Sequence, residues 1–349
     1  MVAVIENSLP QSIHCRMLNI DVTSFAIVSP EQRIAFLSEN ATVEVYAPAT
    51  VANMGVGFDI LGFALHEPGD TVAATLCDEP GVRIDLIEGD EGKLSLDPQQ
   101  NTAAIAASAV LSIVDKNIGV SLTLKKGLPL ASGLGSSAAS AVAAAVAVNA
   151  LLGEPLSREG LLPACLEGEA RVSGYHADNV GPSLLGGITL ITGTEIDQIR
   201  HLPVPDGMYF ALITPHVAVP TATARAVLPQ SVSLSQMVSQ TGSVACLVDS
   251  LYRGDIKALA DAMEQDLVIE PARKRLMPLL QEVRAAAKYA GALSLIISGA
   301  GPTLCALCDS DIVSLNVAEA MKAVYDEAQI DSTSRSTYID RQGARIISK

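Results

Sequence analysis

The chain has 349 residues, about half of them hydrophobic (49%), and a formal net charge of −15. That length suits one large domain or two moderate ones, and that apolar content supplies a sizeable core. The acidic balance, the absence of tryptophan and an aromatic content of 3% exclude a nucleic-acid binder, which needs Lys/Arg surfaces and stacking rings. An anionic ligand must instead be held locally, by helix N-termini, a few arginines or a metal.

Residues 1–40 carry no basic segment followed by a compact apolar run, and Glu6, Asp21, Glu31 and Glu39 suit a transit peptide poorly. We read them as an N-terminal extension, disordered and dispensable for activity. No apolar run reaches the roughly 18–20 residues of a membrane span; the richest window, 138–152, is mostly alanine and is broken by Ser140 and Asn149. Six cysteines at irregular spacing fit reduced thiols and a cytoplasmic setting.

From residue 41, "ATVEVYAPATVANMGVGFDILGFAL" reads as a strand, an irregular loop, then a strand or helix. "DTVAATLC" and "GVRIDLIE" alternate as strands do, and 101–115 reads as a helix. "VSLTLKK" is a strand; the glycine loop "PLASGLGSSAAS" (129–140) follows and leads into a helix over 137–152, stopped by Gly153 and Pro155. "REGLLPACLEGEARVSG" reads as a helix, "YHADNVGPS" as a loop and "GGITLIT" as a strand. A second unit begins near 205. It holds a strand "MYFALITP", a helical start at "TATARAVLP", a helix over 242–264, the strands "LSLIIS" and "PTLCALCD" joined by "GAGP", a helix over 314–330 and a last strand "TSRSTYID". Strands and helices mix without a βαβ rhythm, which favours an α+β fold in two lobes. The domains read as 1–40, 41–204 and 205–349. Cys305 and Cys308 form a lone C-x-x-C in an apolar strand, read as core packing rather than a redox or zinc site.

The glycine loop is not a Walker motif, because no Gly-Lys-Ser/Thr occurs in the chain. It is not a dinucleotide fingerprint either. "GLPLAS" separates strand from glycine, and the next acid, Glu154, follows a helix. Two readings stay open on these residues alone. One is a phosphate cradle made of free N–H groups at a helix start. The other is a glycine turn with a serine N-cap on a buried helix.

"PLASGLGSSAAS" resembles the P-x-x-x-G-L-G-S-S-A phosphate loop of the GHMP kinases. "APATVANMGVGFDILGFAL" (47–65) is similar to the N-terminal motif of that family and "ISGAGPTLCAL" (297–307) to its C-terminal glycine motif, in the same order. "PATVANMGVGFD", "VSGYHADNVGPSLLGG", "TATARAVLP" and "IEPARKRLMP" resemble the homoserine kinases within it. The resemblance implies an N-terminal ATP-binding lobe like ribosomal protein S5 domain 2, and a ferredoxin-like C-terminal lobe. It implies transfer of the ATP γ-phosphoryl group to the hydroxyl of L-homoserine in threonine biosynthesis, with Mg2+, in a homodimer. A mevalonate-type kinase, or a non-catalytic sensor on the same scaffold, is the alternative.

By the same resemblance, Pro129, Leu130, Ala131, Ser132, Gly133, Leu134, Gly135, Ser136, Ser137, Ala138 and Ala139 bind ATP, and Ser137 and Glu169 contact Mg2+. Asn53, Asp59, His176, Thr221, Arg225 and Arg273 bind the amino acid. Chemistry agrees, because a zwitterion needs a cation for its carboxylate, which Arg225 or Arg273 supplies, and acceptors for its ammonium, which Asp59 and Asn53 supply. Asn179 and Asp178 are the candidate catalytic pair. Asp178-Asn179 is similar to the aspartate before an asparagine in mevalonate kinases, where the aspartate is the base. We expect instead that no strong base is needed and that Asn179 orients the hydroxyl.

Overall fold

A computed structural model describes residues 41–349; the reading of 1–40 lies outside the described residues. The first sheet has seven strands: β1 (Thr42–Ala52), β2 (Leu61–Cys77), β3 (Gly81–Glu88), β4 (Gly119–Lys125), β5 (Ile188–Ile191), β6 (Ile199–Leu202) and β11 (Arg345–Ser348). Its order is β11-β1-β2-β4-β3, with β5 paired to the start of β2 and β6 to β5. The stretches read as "strand or helix" and "DTVAATLC" are one long strand, β2. Its first residues, Leu61 to Leu65, are buried on both faces and so lack alternation, which returns beyond Pro68.

Four helices pack on this sheet. α1 (Thr102–Ile113) is capped by Asn101, whose side chain accepts from the Ala103 N–H at 3.0 Å. α2 (Ser136–Leu151) is buried nearly all round, its alanines letting α1, β1 and β2 approach closely. α3 (Leu162–Ala170) is shorter than the helix read over 158–174.

α4 (Ala177–Leu185) occupies the segment read as a loop. Pro182 and Gly181 argue for a loop, but the helix tolerates the proline by leaving the Asp178 carbonyl without its usual donor. That carbonyl sits against Gly62, where an added Cβ would come within 2.0 Å of it.

The second sheet holds β7 (Tyr209–Pro215), β8 (Ser294–Ile297), β9 (Leu304–Cys308) and β10 (Ser332–Tyr338), all antiparallel, in the order β10-β7-β9-β8. Spatial order four-one-three-two, with α9 (Leu280–Tyr289) and α10 (Asp311–Glu327) in the two crossovers, is the ferredoxin-like arrangement. Between β7 and α9 in sequence lie α5 (Thr221–Ala226), α6 (Leu234–Arg253), α7 (Ile256–Met263) and α8 (Ile269–Arg273). The single helix read over 242–264 is split at Gly254, a left-handed cap with φ 68°, and restarted by Asp255, which accepts from the Ala258 N–H.

β6, β11, α8 and α9 have no counterpart in the sequence reading. β11 returns the chain end to the first sheet beside β1. The hydrophobic core is continuous between the lobes. Phe63 of β2 stacks on Phe210 of β7 at 4.6 Å, and Cys305 and Leu307 of β9 face the same cluster. Cys308 belongs to the cluster on the other face of the sheet. The C-x-x-C pair therefore points to opposite sides. Burial pushes the Cys308 thiol up to about 12 and Cys305 well above its ordinary value, so both are inert packing groups.

Candidate active site

The three motifs converge. The Thr50 N–H of β1 donates to the Leu134 carbonyl at 3.1 Å, the Ser298 hydroxyl to the Gly133 carbonyl at 2.7 Å, and the Thr303 N–H to the Ser132 carbonyl at 3.1 Å. Gly133 (φ 81°) has no room for a side chain: a Cβ would meet the Ser298 oxygen at 2.4 Å and the Gly301 nitrogen at 2.8 Å. Gly135 (φ 67°) caps α2, which begins at Ser136. The first N–H groups of α2 have no partner within the helix and face the cavity end of its dipole. The Ser132 and Ser136 hydroxyls are buried without partners.

Beneath the loop lies an ion pair that the sequence reading missed. Lys126 pairs with Asp70, both almost fully buried, and donates to the Ser136 carbonyl at 3.0 Å and the Ser140 hydroxyl at 2.6 Å. Asp70 accepts from the Gly127 and Leu128 N–H groups at 3.0 and 3.1 Å and from the Ser140 hydroxyl at 2.8 Å. The loop has no Walker lysine above the phosphates, but a lysine clamps the helix start from below.

A cavity of about 370 Å³ opens over the loop. Leu130, Ala131, Ser132, Gly133, Gly135, Ser136 and Ser137 line it; Pro129, Leu134, Ala138 and Ala139 do not, and the last three are buried in the core. Every candidate for the acceptor, the metal and catalysis lines the same cavity: Asn53, Asp59, His176, Thr221, Arg225, Arg273, Glu169, Asp178 and Asn179.

At the acceptor end, Arg225 grips Asp59 with two parallel hydrogen bonds of 3.0 and 2.8 Å. The two groups read as separate contacts for a zwitterion thus hold each other. Asn53 (φ 76°) accepts from the Asp59 N–H and donates to the Gly299 carbonyl. His176 stands 3.6 Å from Asp59; burial lowers its pKa, partly offset by Asp59, so it is neutral at pH 7. Arg273 is 3% exposed and donates to the Gly299 carbonyl at 2.7 Å and the Ala224 carbonyl at 3.3 Å. No carboxylate lies within ion-pair distance of Arg273 among the described residues. Burial, then Arg225, brings its pKa down to about 10, which leaves it charged at pH 7.

At the other end, Glu169 is 3% exposed. The Ser173 hydroxyl donates to its Oε1, and its Oε2 has no hydrogen-bond partner among the described residues. Burial pushes its carboxyl up, and the Ser173 and Ser137 hydroxyls and Lys126 offset part of this. No group of three or more His, Cys, Asp and Glu side chains forms a metal cage among the described residues. Mg2+ does not need one, since it binds through one or two protein oxygens plus phosphates and water. A buried unpartnered carboxylate oxygen beside serine hydroxyls fits that ion.

Comparison with known proteins agrees with this geometry. The model of the GHMP kinases N-terminal domain matches residues 101–187, and that of the GHMP kinases C-terminal domain matches 247–327. A homoserine kinase of Chloroherpeton thalassium is 40% identical over 86% of this chain and 98% of its own length. That of Arabidopsis thaliana is 41% identical over 92% of this chain and 88% of its own. The crystal structure of homoserine kinase from Cytophaga hutchinsonii superimposes with a TM-score of 0.84 at 43% identity, covering 88% of this chain and 97% of that one.

The chain belongs to the homoserine kinases of the GHMP kinase family.

It is an ATP-dependent kinase that phosphorylates a hydroxyl. No helix among its described residues is long and apolar enough to cross a membrane. Two further cavity residues of the kinase escaped the sequence reading. Phe58 lies 5.5 Å from the Arg225 and 5.2 Å from the Arg273 guanidinium carbon, holding the two cations on its ring. Asn101 caps α1 at the cavity wall. Phe58 sits inside a quoted motif, but its contacts lie on helices far along the chain, and nothing local signals them.

Proposed function

We propose that this kinase transfers the γ-phosphoryl group of ATP to the hydroxyl of L-homoserine, giving O-phospho-L-homoserine and ADP, in threonine biosynthesis, as a cytoplasmic homodimer. The observation that carries the reading is the charge pattern at the acceptor end: a buried arginine with no carboxylate partner among the described residues, beside a bidentate Arg225–Asp59 pair. A zwitterion matches that pattern at both ends. Its carboxylate compensates Arg273 and shares Arg225, and its ammonium takes the face of Asp59 that His176 and Asn53 border. Mevalonate and galactose bring no ammonium and would leave Asp59 spent on Arg225 alone.

The ATP phosphates lie on the N-terminus of α2, where the loop N–H groups and the Ser132 and Ser136 hydroxyls donate to them. Ser137 and Glu169 would hold Mg2+, which would supply neutralisation of the charge on the transferring group. Asn179, which lines the same cavity, aligns the hydroxyl with the γ-phosphorus. The reading is tested with purified enzyme, ATP and Mg2+: L-homoserine should yield ADP and a phosphomonoester in equal amounts, and no product with homoserine would refute it.

Asp178 is 4% exposed, and burial, then Asp59 and Glu169, push its carboxyl up to about 7. A carboxyl in that range is only partly ionised at pH 7; in our reading it is not the base, and the hydroxyl proton goes to a phosphoryl oxygen. Asp178→Asn, an isostere of the neutral acid, should keep kcat within about tenfold; loss of a true general base costs about a hundredfold or more.

The same shift sets a pH dependence of stability. Between the ordinary carboxylate range and pH 7 the folded chain keeps a proton that the unfolded chain has lost. Stability therefore falls as pH rises through that window, by about 4 kcal/mol from this group. The asparagine variant lacks this slope and should melt above the wild type at pH 8. A collapse of kcat with an unchanged melting curve would make Asp178 the base.

A further inference from the structure

Thr50 is fully buried in β1 and lies outside every role assigned above. Its hydroxyl is closed off from bulk solvent and donates to the Asn179 Oδ1 at 2.7 Å. Its own N–H is bound to Leu134 in the glycine loop at 3.1 Å, so its place is tied to that of the phosphate site. Gly135 packs against both partners. A Cβ there would meet the Thr50 hydroxyl at 2.1 Å and the Asn179 Oδ1 at 2.9 Å. The two ends of an asparagine amide are told apart by their partners. Here Oδ1 faces a donor, and Nδ2 stands 3.5 Å from the Asp178 carboxyl. The opposite orientation would turn the carbonyl towards that carboxyl.

We propose that Thr50 is a positioning residue that locks the Asn179 amide with its carbonyl turned away and its NH2 presented to the phosphoryl-transfer path. Asn179 then acts as a hydrogen-bond donor, to the oxygens of the transferring group or to a lone pair of the attacking hydroxyl. Without the Thr50 hydroxyl the amide loses its one short hydrogen bond and keeps only the 3.5 Å approach to Asp178, so the unproductive orientation becomes populated. The inference rests on the substrate reading above and adds a residue to it.

The test is a double-mutant cycle between positions 50 and 179, read in steady-state kinetics with L-homoserine and MgATP. Thr50→Val, which keeps the shape and loses the hydroxyl, should lower kcat by about tenfold to a hundredfold. It should leave both KM values within about threefold, the pattern of an interaction made in the transition state. Thr50→Ser should restore most of the loss. In an Asn179→Ala background, Thr50→Val should cost nothing further, because nothing remains to be oriented. A valine variant with the wild-type kcat overturns the role of Thr50, and so does an equal loss with Asn179 present or absent, which a purely structural effect would give. Thr50→Ala replaces the valine variant if thermal melting shows the latter unfolded. The wild-type rate in the same assay separates the two claims. No turnover of homoserine overturns both, whereas normal turnover with an unaffected Thr50 variant overturns only this one.

Discussion

Replacing Arg273 by Met should raise the KM for homoserine about a hundredfold or more, with the KM for ATP almost unchanged. Two charge-assisted hydrogen bonds to a carboxylate are worth about 1.5–3 kcal/mol each, and every 1.4 kcal/mol is a factor of ten. Arg273 is placed before substrate arrives: its backbone acceptors, Gly299 and Ala224, and the Phe58 ring fix the guanidinium in the cavity wall. Its charge has no carboxylate partner among the described residues, so removal breaks no ion pair. Methionine fills similar volume without a buried charge, and the variant should fold and melt near the wild-type temperature. Steady-state kinetics against both substrates checks the split. An unchanged KM for homoserine would mean that Arg273 does not read the acceptor.

Glu169→Gln should lower kcat by at least about a hundredfold, since a catalytic metal supplies several kcal/mol of charge stabilisation. The variant should also need more Mg2+ for half-maximal rate. Its stability moves the other way. Burial raises the Glu169 carboxyl above its ordinary range, so holding it ionised at neutral pH costs folding energy, and a neutral amide removes that cost. A dead enzyme that melts at the same or a higher temperature separates a lost metal contact from a lost fold. Full activity with an unaltered Mg2+ requirement would move the metal site elsewhere.

How much of this was legible before the structure depends on whether the signal is local. Gly133 and Gly135 announce themselves, because both take a positive φ and an added Cβ at either would come within 3 Å of neighbouring atoms. The two lobes follow from the run of elements, and the central helix α2 from its alanines. α4 was hidden because Gly181 and Pro182 carry loop composition, and only the tertiary setting shows the Asp178 carbonyl packed against Gly62. β11 spans four residues at a sheet edge, too short for any period to show.

Within the site, residue identities could be proposed from motifs, but their mutual partners could not. Lys126 and Asp70 lie 56 positions apart, Thr50 and Asn179 129, and Asp59 and Arg225 166. No spacing rule connects them. The pairing of Asp59 with Arg225 changes the chemistry most: the acceptor end holds one cation and one carboxylate in contact, and substrate must share them.

The central claim is that this cavity selects a zwitterionic alcohol as acceptor. Its most direct test is the ratio of kcat/KM values, measured by coupled ADP release with MgATP, for L-homoserine, L-threonine, L-serine, mevalonate and galactose. Homoserine should lead the other amino acids, and mevalonate and galactose should give only the background rate. Turnover of mevalonate or galactose equal to that of homoserine would contradict it.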